Sequence, residues 1–112
     1  MEQEIKDGIL VITLSGHLLG TQANSAVMGA VLPNIEAGNK KIIFNLKGVN
    51  YVDSAGLGTL LSATSKIKNA GGVLVICSLS EQVVKLLKTT KVESVFRIQP
   101  DEEAALAFIK TV

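Results

Sequence analysis

Three runs in this sequence, Ile9-Leu10-Val11-Ile12, Ile42-Ile43-Phe44 and Val73-Leu74-Val75-Ile76-Cys77, are apolar at every consecutive position. A strand with one face in water alternates apolar and polar residues. An unbroken β-branched run instead needs cover on both faces, as in a parallel sheet layered with helices. The stretches between the runs have the matching helical period. Ala23, Ala26, Val27, Ala30, Val31 and Ile35 form a stripe over Thr21 to Ala37, and Leu57, Leu60, Leu61, Thr64 and Ile67 form another that ends at Gly71-Gly72. Ser80 is positioned to cap a short helix reaching about Lys88. Pro100 reads as the first helical position of a terminal helix, with Asp101, Glu102 and Glu103 in its first turn and Ala105, Phe108 and Ile109 as its apolar stripe. Strand–helix alternation from residue 40 onward implies right-handed crossovers and mostly parallel pairing.

A hairpin precedes this pattern. Asp7-Gly8 separates Glu4-Ile5-Lys6 from Ile9–Leu14, and the pair is a type I′ turn signal because glycine supplies the positive φ. Ser15 to Gly20 reads as a loop. Pro33 removes a backbone donor and crowds the Gly29 carbonyl, which predicts a kink or a helix end near Leu32. The strand over Lys40–Leu46 is expected to break at Gly48–Asn50 and to resume at Tyr51-Val52, and the last strand is expected over Val95–Ile98. The order β-β-α-β-α-β-α-β-α defines an α/β fold: a mixed, mostly parallel sheet opened by an antiparallel hairpin, with about four helices. No repeat or linker divides the chain, so residues 1–112 read as a single domain.

Composition narrows the function classes. With 112 residues, 47% of them hydrophobic, one core can carry the fold without disulfides. Cys77 is the only cysteine and His17 the only histidine, which leaves no set for a cysteine-rich or mixed zinc site. The formal net charge of +1 and an aromatic content of 4% give no footprint for nucleic acid or an anionic membrane. Gly8 to Ile35 lacks Lys, Arg, Asp and Glu, but its eight polar side chains, from Thr13 to Asn34, rule out a bilayer span. The acidic start Met1-Glu2-Gln3-Glu4 is unlike a secretory signal. These features lead us to expect a cytoplasmic protein with no cofactor and no metal.

One segment breaks a local rule. Gly56 and Gly58 fall in the first turn of a helix that follows a strand, where each costs up to about 1 kcal/mol relative to Ala. Asp53 or Ser54 is the natural N-cap. Two readings stand side by side. In one, Ser54 is only a cap and the glycines only allow tight helix–sheet packing. In the other, a partner or a phosphate approaches the helix N-terminus, where the dipole and free amides favour negative charge. Familiar catalytic patterns are missing. No acidic cluster follows the other strands to hold a cation beside Asp53, Gly-x-Ser-x-Gly does not surround Ser54, and neither the P-loop nor Gly-x-Gly-x-x-Gly occurs. Lys85, Lys88 and Lys91 read as solvated residues that complement a helix C-terminus.

The run Val49-Asn50-Tyr51-Val52-Asp53-Ser54-Ala55-Gly56-Leu57-Gly58 resembles the signature of STAS domains, specifically of bacterial anti-sigma factor antagonists, and the likeness extends over nearly the whole chain. The resemblance implies a STAS fold and a binding module, not an enzyme. It implies that Ser54 is phosphorylated by an anti-sigma factor that is also a serine kinase, that the unphosphorylated form binds that factor and frees a sigma factor, and that a phosphatase restores it. It further implies a partner-binding surface made of Asp53, Ser54, Ala55, Gly56, Leu57, Gly58 and Thr59 together with Leu19 and Thr21. The chain departs from the family at Gly16-His17-Leu18-Leu19, where members usually carry Gly-Glu-Leu-Asp; Leu19 takes the aspartate position and His17 the glutamate position. Alternative readings are a STAS module that binds a small molecule or nucleotide at the same edge, and a scaffold in a signalling assembly.

Overall fold

The structure is a computed structural model that describes residues 1–18 and 20–112, the side chains of residues 17–23 excepted. It comprises β1 (Glu2–Lys6), β2 (Ile9–Leu18), α1 (Gly20–Glu36), β3 (Lys41–Val52), α2 (Ser54–Asn69), β4 (Val73–Cys77), α3 (Glu81–Thr89), β5 (Arg97–Gln99) and α4 (Glu102–Ile109), with a 3-10 turn at Glu93–Val95 before β5. The sheet order is β1-β2-β3-β4-β5. β1 and β2 pair antiparallel across the Asp7-Gly8 turn, where both residues have positive φ, and every later pair is parallel.

Strands laid down in chain order with crossovers of one hand must carry their connecting helices on one face. The core shows this division. Leu10, Ile12, Ile42, Phe44, Leu74 and Ile76 pack in one cluster with residues of α1, α2 and α3. The alternate residues Ile9, Val11, Ile43, Val75 and Cys77 pack with Ala105 and Ile109 of α4, the one helix among the described residues that covers the opposite face. The apolar runs are therefore buried on both sides, as their lack of alternation requires. Cys77 lies in this second layer, and burial pushes its thiol up to about 11, so it is an inert core residue.

Polar contacts fix α4 to the hairpin and to β3. Lys6 Nζ lies 2.6 Å from Glu102 Oε2, and Asn45 Nδ2 donates to Glu102 Oε1 at 3.1 Å. The Lys6 hydrogen bond, then that of Asn45, holds the Glu102 carboxyl below its ordinary value of 4.5. Because the unfolded chain then takes up the proton first as pH falls, this contribution is whole above pH 4.5 and drains away below it. Glu102→Gln, which keeps an acceptor for Asn45, should lower the melting temperature slightly at pH 7, with the deficit shrinking as pH falls below 4.5. Thermal melts of both proteins across that range check this; a deficit independent of pH would mean that the charge is not its source.

Several expected boundaries move, each for a visible reason. Ser15–Leu18 is strand rather than loop, and β3 runs unbroken through Gly48–Asn50, because the two extensions pair with each other: Ser15 with Gly48, Gly16 with Val49, His17 with Tyr51 and Leu18 with Val52. The register shifts between Thr13 and Ser15 bring the chains unusually close. A Cβ on Gly48 would lie 2.9 Å from Ser15 Cβ, so the glycine that suggested a break instead permits the pairing. α1 spans Gly20–Glu36 with Pro33 inside it, close to the expected Thr21 to Ala37 and without the end near Leu32, and Ala26 of its expected stripe is exposed while Val27, Ala30 and Val31 are buried. β5 begins at Arg97, since the 3-10 turn takes up Val95. Asp101, not the residue before Pro100, caps α4, accepting from Ala104 N at 2.8 Å, so Pro100 lies outside the helix.

Candidate functional site

β3 delivers the chain to α2 in a single step. Val52 is the last strand residue, Asp53 is extended (φ −90°, ψ −177°), and Ser54 is the first helical residue. Asp53 Oδ1 accepts from Gly56 N at 2.7 Å and its carbonyl accepts from Leu57 N at 2.8 Å. Asp53 is thus the N-cap, and Ser54 is freed from that role. Ser54 and Ala55 are exposed, Asp53 and Gly58 are half-buried, and Gly56, Leu57 and Thr59 are buried. Thr59 Oγ1 donates to Ala55 O at 3.1 Å and lies 3.4 Å from Asn24 Oδ1 of α1, so this buried hydroxyl is satisfied and links the first turn of α2 to α1.

The expected partner surface is therefore divided. Ser54, Ala55 and Gly58 form its outward part, while Leu57 and Thr59 support it from the core side. Leu19 and the side chain of Thr21 lie outside the described residues. Leu18 pairs with Val52, so β2 ends beside the start of α2.

Gly58 decides between the two readings of the glycines at its own position. A Cβ built there meets nothing within 4 Å among the described residues, so packing against them does not require a glycine. What its absence leaves is a flat outer surface one turn from Ser54. Gly58→Ala should stabilise the domain by about 0.4–1 kcal/mol through the unfolded state, yet weaken any partner that packs on this turn. A calorimetric melt paired with a binding titration tests it. Unchanged partner affinity would return Gly58 to a neutral role.

The electrostatics suit a switchable charge. No acidic side chain lies within the first turn of α2, and the positive end of its dipole is at Ser54. Beside the turn, Tyr51, Val52, Gln82, Lys85, Leu86 and Thr89 line an open groove of about 370 Å³ between the end of β3 and α3. Tyr51 is half exposed at the rim. The groove has little signature in the sequence, where Tyr51 reads only as part of a resumed strand and α3 only as a capped, solvated helix; its one signal is an aromatic next to a valine at a strand end.

The chain and its mixed five-stranded fold have known relatives. The STAS domain family model matches residues 1–105, and the chain belongs to that family. It is 29% identical over 106 residues, 94% of this chain and 90% of the relative, to BtrV of Bordetella bronchiseptica, whose name marks it as a candidate anti-sigma factor antagonist. It is 27% identical over 112 residues, 100% of this chain and 96% of the relative, to the anti-sigma F factor antagonist of Paenibacillus polymyxa. The fold matches the Bacillus anti-sigma factor antagonist SpoIIAA in both its unphosphorylated form (TM-score 0.74, 20% identity, 99% of this chain and 98% of that one) and its phosphorylated form (TM-score 0.71, 21% identity, 96% and 97%). Among the described residues, no helix is long and apolar enough to cross a membrane.

Proposed function

We propose that this STAS domain is an anti-sigma factor antagonist that acts by binding rather than by catalysis. Unphosphorylated, it docks on an anti-sigma factor through the first turn of α2 and so releases a sigma factor. That anti-sigma factor, acting as a serine kinase, phosphorylates Ser54 and ends the interaction, and a phosphatase reverses the step. The observation that carries this reading is the division of labour at the turn: Asp53 does the capping, which leaves Ser54 exposed at the dipole's positive end without a structural duty. The names of the full-length relatives support it.

The test uses the native partner. The anti-sigma factor recovered by affinity purification from the native cell is incubated with the protein and with ATP, followed by peptide mass spectrometry and size-exclusion chromatography. Phosphate on Ser54 with loss of the complex is the expected result. Modification elsewhere, or a complex that survives modification of Ser54, overturns it.

One observation favours a second reading. The groove beside Tyr51 has a volume within the range of small-molecule sites, roughly 300–1,000 Å³. A small molecule or nucleotide retained by the natively purified protein, in place of a protein partner, would favour that reading.

A further inference from the structure

At the opposite edge of the sheet from Ser54, where β4 and β5 begin, lies a smaller cavity of about 130 Å³ between the last turns of α2 and the start of β5. Lys68 and Arg97 both line it, over walls that include Leu74 and Val95. We infer that this cavity is a binding site for a phosphate group.

Two basic residues line this space, with no acid among the lining residues. Among the described residues, the ion pairs engage Lys6 and Lys110 with Glu4, Asp7 and Glu102, and none engages Lys68 or Arg97. Their separation in sequence makes the juxtaposition a product of the fold, since β4–β5 pairing sets Arg97 opposite Val75. Dipole complementarity explains Lys66 and Lys68 in the last turn of α2, but Arg97 belongs to no helix.

The chemistry of the donors selects the ligand. The backbone amides nearby are taken: Gly71 N by Lys68 O at 3.0 Å, Gly72 N by Ile67 O at 2.8 Å and Val73 N by Lys40 O at 2.9 Å. Thr64 Oγ1 already donates to Leu60 O at 2.9 Å. The ammonium and guanidinium groups remain, and the guanidinium fork matches phosphate oxygens in pairs. Two positive charges balance the roughly −1.5 to −2 charge of a phosphate group at pH 7. A volume of about 130 Å³ holds the group itself and falls short of the roughly 300 Å³ at which drug-sized pockets begin. Inorganic phosphate and the end of a small phosphate monoester are the two sources of that chemistry. Because the cavity opens at the strand edge away from Ser54, it does not compete with docking there.

Amide chemical shifts of the full chain test the site in titrations with inorganic phosphate and with glycerol phosphate, each against sodium chloride of equal ionic strength. Arg97→Gln and Lys68→Gln serve as controls, both at exposed positions whose loss leaves the core intact. Saturable shifts at Gly72 and Val73 are expected, with at least tenfold weaker binding in either variant; the tighter of the two ligands identifies the source. Shifts that fail to saturate, that chloride reproduces, or that persist unchanged in Arg97→Gln overturn the site.

Discussion

Ser54→Asp is expected to weaken binding to the cognate anti-sigma factor by more than a hundredfold, while Ser54→Ala binds at least as well as the native protein and can no longer be switched off. Ser54 is exposed at the first position of α2, and its neighbours in the turn present little side-chain bulk. A partner packed there desolvates the hydroxyl. A carboxylate or a phosphate in its place is a buried charge without a partner, a situation that costs about 3–5 kcal/mol. Each 1.4 kcal/mol is tenfold in affinity, so about 3 kcal/mol already exceeds a hundredfold. The fold itself should tolerate the charge. The helix dipole favours an anion at this end by roughly 0.3–1 kcal/mol, offset in part by repulsion from the Asp53 carboxylate. Ser54→Asp should therefore melt close to the native protein. Asp53→Ala is the contrasting variant, because loss of the cap to Gly56 N should cost about 1 kcal/mol of stability. Isothermal titration with the cognate anti-sigma factor and thermal melts of all three variants decide the matter. Equal affinity of Ser54→Ala and Ser54→Asp would sink the switch. A melting point for Ser54→Asp as low as that of Asp53→Ala would make Ser54 a structural residue after all.

The layers of the fold were legible because they rest on patterns that a sequence carries locally. Ile42-Ile43-Phe44 and Val73–Cys77 could only be strands covered on both faces, and the helical stripes between them fixed the crossovers. The errors fall where the deciding contact is distant in sequence. Gly48 reads locally as a strand breaker, yet it is retained in β3 because Ser15 crosses it too closely for any Cβ. Pro33 reads as a kink or a helix end, and of the two the helix end is the one that fails: α1 buries Val27, Ala30 and Val31 against the sheet and runs on past Pro33 to Glu36, close to the expected end at Ala37. At the site, the Asp53-Ser54 step was legible as a cap, but which residue does the capping depends on a backbone angle, the extended ψ of Asp53. Composition likewise could not show that Arg97 comes to lie near Lys68, because β5 brings them together from opposite sides of a glycine turn and a helix.

Gly72→Ala is expected to be the counterpart of Gly58→Ala, destabilising the domain while sparing the partner surface. A Cβ at Gly72 would sit well inside contact distance of the Lys40 carbonyl oxygen, and 3.0 Å from Ile67 Cγ2. That carbonyl is no loose end: it accepts from Val73 N at 2.9 Å and so opens the pairing of β3 with β4. Ile67 is fully buried, so neither neighbour can move without disturbing the core or the sheet. Overpacking of this kind costs about 1–3 kcal/mol. The usual gain from removing a glycine in the unfolded chain, about 0.4–1 kcal/mol, offsets only part of it. For a domain of this size each lost kcal/mol lowers the melting point by roughly 4–8 °C, so a net loss of about 1–2 kcal/mol, the middle of that range, gives a fall of about 4–16 °C. The disturbance lies at the starts of the strands, whereas Ser54 follows the end of β3. Below its melting point, Gly72→Ala should bind the anti-sigma factor with native affinity. The two alanine variants then separate what the two glycines do: one glycine keeps the core closed, and the other keeps a surface open. If Gly72→Ala melted at or above the native protein, the last turn of α2 would have to be free to slide along β3, and the rigid frame assumed for the Ser54 turn would no longer hold.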